Sequence, residues 1–280
     1  MKFKTIFILF NIVLIFSFAF IFLMPFFLLG GVYSLAFWSR NWPLAVFFLA
    51  VLGVFNIFFA NNWKLFSLVE KEDWQALSAW LTDRVFNKHR VGRRYVRLLV
   101  NASLLRSDTA LIERLETMLA ERYPAVLRRD AVLFGAARLL KNDPVASEVF
   151  LAPLVDARGV ENAPWLGFYH AFTLILLKKP LDAIPRLRET LGSKDPILSL
   201  LSAYLLGSLC AAASDDSQKD ELVSIAEVQR KELAKRYSPE RWSRETERAK
   251  AEVHVVILSK LIDDAGAWMF VASEKKASTG

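Results

Sequence analysis

Residues 103–144, SLLRSDTALIERLETMLAERYPAVLRRDAVLFGAARLLKNDP, decide the fold. Two similar blocks bracket the stretch: Leu104-Leu105-Arg106-Ser107-Asp108 at its start and Leu139-Leu140-Lys141-Asn142-Asp143 at its end. Each block ends an apolar helix, turns through polar residues and starts another amphipathic helix. The pattern stands upstream as Leu68-Val69-Glu70-Lys71-Glu72-Asp73. Downstream it survives in degenerate form as Leu176-Leu177-Lys178-Lys179-Pro180, and a further turn, Ser214-Asp215-Asp216, follows. Asp73, Asp108 and Asp143 are spaced by 35 residues. Strand-type alternation is absent between the blocks. Two helices per period of this length are the pattern of an α-solenoid.

Outward from that core, helices are expected at 62–71, 73–87, 91–106, 109–122, 124–141, 144–157, 163–178, 181–192 and 196–213. Two longer ones follow, at 217–236 and 239–270. The last carries Val253, Ile257, Leu261 and Ala265 in one stripe. Residues 61–215 thus read as the repeats and 216–272 as long helices capping the open end, which terminal elements of a solenoid must do for solubility. Residues 273–280, SEKKASTG, are polar and expected to be a disordered tail.

The clearest unit runs over residues 169–196, YHAFTLILLKKPLDAIPRLRETLGSKDP. Ala171 and Ala183 stand twelve apart, Leu187 and Leu191 continue an apolar face, and Pro196 closes the unit. Gly135 and Ser147 repeat the small-residue spacing one unit earlier, and Leu98 and Ala110 occupy those places before that. In these features residues 62–215 resemble the tetratricopeptide repeat family. The resemblance implies a right-handed superhelix with a concave groove and a role in protein–protein contact. It also implies that the first helix of each unit lines the groove, which makes Trp165, Tyr169 and His170 groove candidates. Read from spacing alone, Trp165, Phe168, Tyr169 and Phe172 form a stripe of the kind that more often packs in a core.

The first 60 residues are of another kind. They carry only Lys2, Lys4 and Arg40 as charges, and no acidic residue occurs before Glu70. Residues 5–29 are uncharged and long enough to cross a hydrocarbon core of about 30 Å. Residues 43–60 form a second, shorter uncharged run, with Pro43 suited to a first helical turn. Between them Gly30 and Gly31 break the helix, and Trp38 and Trp42 sit where interfacial aromatics belong. The apolar run exceeds the length of a signal-peptide core and a second span follows, so an uncleaved two-helix anchor is expected. Basic residues flank both outer ends (Lys2 and Lys4, then Lys64 and Lys71), which places both termini and the repeats on the cytosolic side of the inner membrane. Asn11 and Asn56 lie at similar depths. They either hydrogen-bond across the hairpin or reach water separately.

The rest of the chain holds 33 of the 36 basic residues and all 29 acidic ones. Such a mild excess argues against nucleic acid as a partner. The lone cysteine, Cys210, lies in an apolar run and reads as a small buried hydrophobe. His89, His170 and His254 form no metal-ligand spacing, and no phosphate-cradling loop or nucleophile elbow occurs. No enzyme activity, cofactor or metal is therefore expected. One basic cluster stands out at Lys88, Arg90, Arg93, Arg94 and Arg97. It suits anionic lipid head groups, an acidic protein partner, or a solvated helix face paired with local acids. The function expected is a membrane scaffold that gathers other proteins, as in an envelope or motility assembly. The alternative is an accessory subunit of a transporter or channel in which the hairpin is the working part, although its spans lack the ionisable residues that usually mark an ion path.

Overall fold

A computed structural model describes residues 3–277, and these residues form helices and turns with no strand among them. The chain divides into two compact units between Trp80 and Leu81.

The first unit is dominated by α1 (Phe3–Glu70), whose helical geometry is interrupted at Gly30 and Asn41. Gly30 adopts φ 74° and ψ 168°, a conformation open to glycine because it has no Cβ to clash. The chain reverses there, and the two arms run antiparallel along an aromatic seam. Phe7 meets Phe59 at 4.9 Å, Phe10 meets Phe55 at 3.9 Å and Phe22 stacks on Trp38 at 3.9 Å. The sequence reading placed a loop at 30–42 and a helix start at Pro43. The reversal instead takes a single glycine, and Pro43 lies inside the second arm. Pro43 lacks an amide donor and crowds the preceding turn, and the helix relaxes at Asn41 to φ −110° and ψ 16°. The second arm then continues without a break through Glu70 and takes in the helix expected at 62–71. Both arms, Lys4–Leu28 and Ser34–Glu70, are long and apolar enough to cross a membrane. Their outward faces are bare: Phe16 is 72% exposed and Phe27 84%.

The chain continues through α2 (Trp74–Thr82), a π-helical turn at Asp83–Asn87, α3 (Arg93–Leu105), α4 (Thr109–Arg122), α5 (Pro124–Arg129) and α6 (Ala131–Leu140). Next come α7 (Pro144–Val155), α8 (Ala163–Leu176), α9 (Pro180–Leu191) and α10 (Pro196–Leu205), a second π turn (Leu206–Cys210) and α11 (Ala211–Ala213). The last elements are α12 (Asp216–Arg236), α13 (Pro239–Lys250), α14 (Val253–Val256) and α15 (Ser259–Ala277).

The recurring blocks share one turn at the level of individual hydrogen bonds. Glu72, Ser107, Asn142 and Lys178 are all left-handed, with φ between 52° and 60°. The amide of Ser107 donates to Leu104 O (3.0 Å) and that of Asp108 to Ser103 O (2.9 Å). Glu72 with Asp73, and Lys178 with Lys179, repeat the pair. This is the Schellman arrangement, which satisfies the last carbonyls of the preceding helix. The aspartate that follows then caps the next helix: Asp73, Asp108 and Asp143 accept from the amides of Ala76, Leu111 and Ala146 at 2.9–3.1 Å. Asp215 caps α12 in the same way, but its preceding residue is extended, so the turn pattern ends there.

Within the second unit α3 packs on α4, α6 on α7, α8 on α9 and α10 on α12. The first helices also touch in series, α3 with α6, α6 with α8 and α8 with α10. Small residues set the closest approaches. Ala171, Ala183 and Ser147 are fully buried, and a Cβ on Gly135 would stand 2.9 Å from Leu151 Cδ2. Leu98 is half-buried and Ala110 exposed, so this spacing is not used in the earliest unit.

The C-terminal region departs from expectation. In place of one helix over 239–270 there are three, with the chain bending at Ala251–Glu252 and again before Ser259. The bend lets α14 reach back to α3 and α6, while α13 and α15 pack on α10. These helices thus cover the side of the first helices and do not simply extend the row. α15 runs to Ala277, into the segment expected to be a tail, and residues 278–280 lie outside the described residues.

Candidate functional site

The basic cluster divides on inspection. Lys88 pairs with Asp83 at 2.8 Å, and its ammonium, followed by Asn87, holds the Asp83 carboxyl below its usual range. Arg93 bonds Glu161. Arg97 lies 3.6 Å from Glu161 and 3.4 Å from Asp130, whose carboxylate is buried and also meets Arg129 at 3.1 Å. Asp130 sits at the break between α5 and α6, so the arginines neutralise a charge the fold has placed inside. Arg90 and Arg94 are exposed, and Arg94 also interacts within the protein. Arg93 and Arg97 are therefore committed to holding α3 against its neighbours, and the five residues do not form one open basic surface.

The groove candidates are also resolved by burial. Tyr169 is fully buried and Trp165 is 6% exposed, so neither stands free in a groove. The Tyr169 hydroxyl donates to the backbone oxygen of His254 at 2.8 Å, and Trp165 meets the His254 ring edge-on at 5.5 Å. Trp165 Nε1 donates to Asp195 Oδ2 at 2.9 Å. The physical reason is the C-terminal bend, which seats His254 on the face that α8 would otherwise present. Burial raises the Tyr169 hydroxyl well above its usual pKa, keeping it a donor. Burial, then the nearby Arg97 cation, push the His254 imidazole down to about 4. Glu252 lies 3.5 Å from its Nδ1 but is largely hydrated, so it offsets little. His170 is only half-buried; burial, then Arg186, lower its pKa.

In the hairpin, Asn56 Nδ2 donates to Asn11 Oδ1 at 2.9 Å, and each amide also donates to its own helix, at Leu52 O and Phe7 O. Both asparagine side chains thereby find partners within the pair.

One further site escaped the reading of the sequence. Arg236, Tyr237, Arg241, Arg244, Glu245 and Arg248 line a cleft of about 560 Å³ at the α12–α13 corner. Arg241, Arg244 and Arg248 stand at i, i+3 and i+7 on α13, a stripe the sequence carried in plain view. Among the described residues no group of three or more His, Cys, Asp or Glu side chains is placed to hold a metal ion.

Leu105, Leu140 and Leu176 form another regular feature. Each ends a helix at a recurring turn and is 39–50% exposed. Val145 and Leu181, each in the first turn of the helix that follows, are 61% and 47% exposed.

These features define an all-helical protein with an apolar N-terminal helical hairpin. The chain belongs to the family described as "Uncharacterised Treponema protein", whose model matches residues 111–271. It is similar to an "Uncharacterized protein" of Treponema pallidum (strain Nichols), 31% identical over 243 residues that cover 83% of this chain and 77% of the relative. No solved structure matches it.

Proposed function

We propose that this protein is a non-enzymatic scaffold, held by its hairpin in the inner membrane, whose helical body gathers other proteins at the cytosolic face. The observation that carries this reading is the recurring turn. The left-handed residue returns at 107, 142 and 178, with the full Schellman pair at 107 and 178, and each turn presents an exposed leucine. Serial contact of first helices with the next unit's first helix suits a right-handed solenoid like that of tetratricopeptide repeats. Since the C-terminal helices cover the side of the first helices, partners meet the body at its turn edges and not in an open groove. The basic flanks of the hairpin support the cytosolic orientation.

Two experiments test the reading. Native membranes are crosslinked and extracted, and proteins recovered with the wild type are compared with those recovered with a Leu105→Asp, Leu140→Asp, Leu176→Asp variant of unchanged helicity. A defined set lost in the variant supports the scaffold; the same set, or none from either protein, overturns it. Orientation is read with a membrane-impermeant thiol reagent on Ser39→Cys and Gly192→Cys. The first should label in intact cells and the second only after permeabilisation. Cys210 stays silent because it is buried and its thiol is pushed up to about 11. The opposite pattern would reverse the orientation.

A further inference from the structure

The α12–α13 corner concentrates arginines that form no close ion pair. Among the described residues, none of Arg236, Arg241, Arg244 and Arg248 has a carboxylate within 4.0 Å. Arg93, Arg97, Arg138, Arg186 and Arg188, by contrast, each pair with an acid. Four guanidiniums face one carboxylate, Glu245, in a cleft of about 560 Å³, a volume within the usual range for small-molecule sites. The mutual repulsion of these cations is relieved by a multiply charged anion.

The stripe is held in place from behind. Trp242, on the opposite face of α13, is 6% exposed and rests on Gly266, where a Cβ would come within 2.9 Å of its Nε1. Ser238 caps the helix by accepting from the Arg241 amide at 3.4 Å. The Arg236 guanidinium lies 5.5 Å over the Tyr237 ring, and Arg244 Nε reaches Glu240 O at 3.4 Å. A second cleft of about 330 Å³ shares Glu245 and Arg248 with the first. Its wall mixes Trp165, Pro196, Ile197 and Val255 with Lys194, Asp195 and Glu252. The first cleft is thus a fork of guanidiniums, and the one beside it is of mixed polar and apolar character.

We propose that the arginine-lined cleft binds a phosphate monoester. Guanidiniums match the geometry of phosphate oxygens in pairs, and a phosphate dianion answers the surplus charge better than a single carboxylate does. The same chemistry occurs in soluble phosphorylated compounds and in the head group of phosphatidic acid.

The test is calorimetric titration of the full chain in a neutral detergent with phenyl phosphate and with dihexanoyl phosphatidic acid. At least one should saturate a single site, with affinity falling as salt rises. Arg244→Ala with Arg248→Ala should weaken binding about tenfold or more, Lys at both positions should weaken it less, and Arg90→Ala should leave it unchanged. Tighter binding of phenyl phosphate identifies a soluble source and tighter binding of the lipid a membrane source; both uphold the phosphate site. Failure of both probes to saturate, or equal binding by a normally helical Ala/Ala variant, overturns it. So does a tetraglutamate peptide that saturates the site when the phosphates do not, which would assign the cleft to an acidic protein segment.

Discussion

Pro196–Ala213 and the two arms of α1 are all long and apolar enough to pass as membrane spans. In the arms, the most apolar window has none of its residues buried; in Pro196–Ala213, 61% are. The difference lies in what surrounds them. The helix at 196–213 is enclosed by α8, α9, α12 and α15, and its small polar residues are built into that enclosure. Ser202 shares a 2.7 Å hydrogen bond with Thr190, and Ser199 accepts from Gln229 at 2.7 Å. The arms of α1 meet each other along one aromatic seam and leave Ile, Leu and Phe around the rest of their circumference. A helix apolar on all sides needs an apolar environment on all sides. One of the three obtains it from the protein, and the other two are long and apolar enough to obtain it from a bilayer.

That contrast is open to direct test, and the largest effect expected is on core truncation. Leu201→Ala, at a position 1% exposed, should lower the stability of the folded body by about 2–5 kcal/mol in chemical denaturation. Phe16→Ala, at 72% exposure, should leave that same transition within about 0.5 kcal/mol of wild type. Equal losses would remove the distinction between the regions.

Acid should act on the body through His254. Its folded pKa is depressed to about 4, and an unfolded histidine titrates near 6.5. The unfolded chain therefore takes up the proton first as pH falls. The contribution is complete above pH 6.5 and is lost on descent toward 4, by about 2–3 kcal/mol at pH 4.5. Denaturation of wild type and His254→Leu at neutral and acid pH measures it; an equal acid loss in the variant would assign the effect elsewhere.

The same glycine substitution should have different consequences in the two regions. At Gly207 an added Cβ would sit 2.7 Å from Ala226 Cβ, which cannot rotate away, so Gly207→Ala should cost about 1–3 kcal/mol. At Gly53 nothing lies within 4 Å, and Gly53→Ala should be neutral or slightly stabilising. Paired thermal melts decide it. The smallest effect is expected at the hairpin's polar pair. Asn11→Leu removes the acceptor for Asn56, which keeps its bond to Leu52 O, so arm association should weaken by only about 0.6 kcal/mol. Association of the separated arms, read by energy transfer in micelles, would register it.

Much of this architecture was legible because it is local. The Leu-Leu-x-x-Asp blocks at 104 and 139 announce their turns in adjacent residues, and the uncharged runs announce the hairpin. The facing depths of Asn11 and Asn56 brought them into consideration as a pair. What escaped depends on contacts far apart in the chain. Val253, Ile257, Leu261 and Ala265 keep helical spacing straight through the bends at 251–258, so periodicity could not register them. The burial of Trp165 and Tyr169 needs His254, whose backbone oxygen meets Tyr169 from 85 residues away. Whether Arg93 and Arg97 meet a ligand or pair with acids stayed open in the sequence, because Glu161 and the buried Asp130 lie far along the chain. The stripe at Arg241, Arg244 and Arg248 was hidden differently: Glu240, Glu245 and Glu247 lie among its members, and the local charge looks balanced until the helix is folded.

The bond from Tyr169 to His254 also sets an order of events during synthesis. A ribosome adding 5–20 residues per second needs roughly 4–17 s to make the intervening chain. Throughout that interval the nascent α8 displays Trp165 and Tyr169 with no lid over them. A chaperone that binds exposed aromatics meets its substrate in that window, and translational pausing upstream of residue 254 would lengthen the exposure.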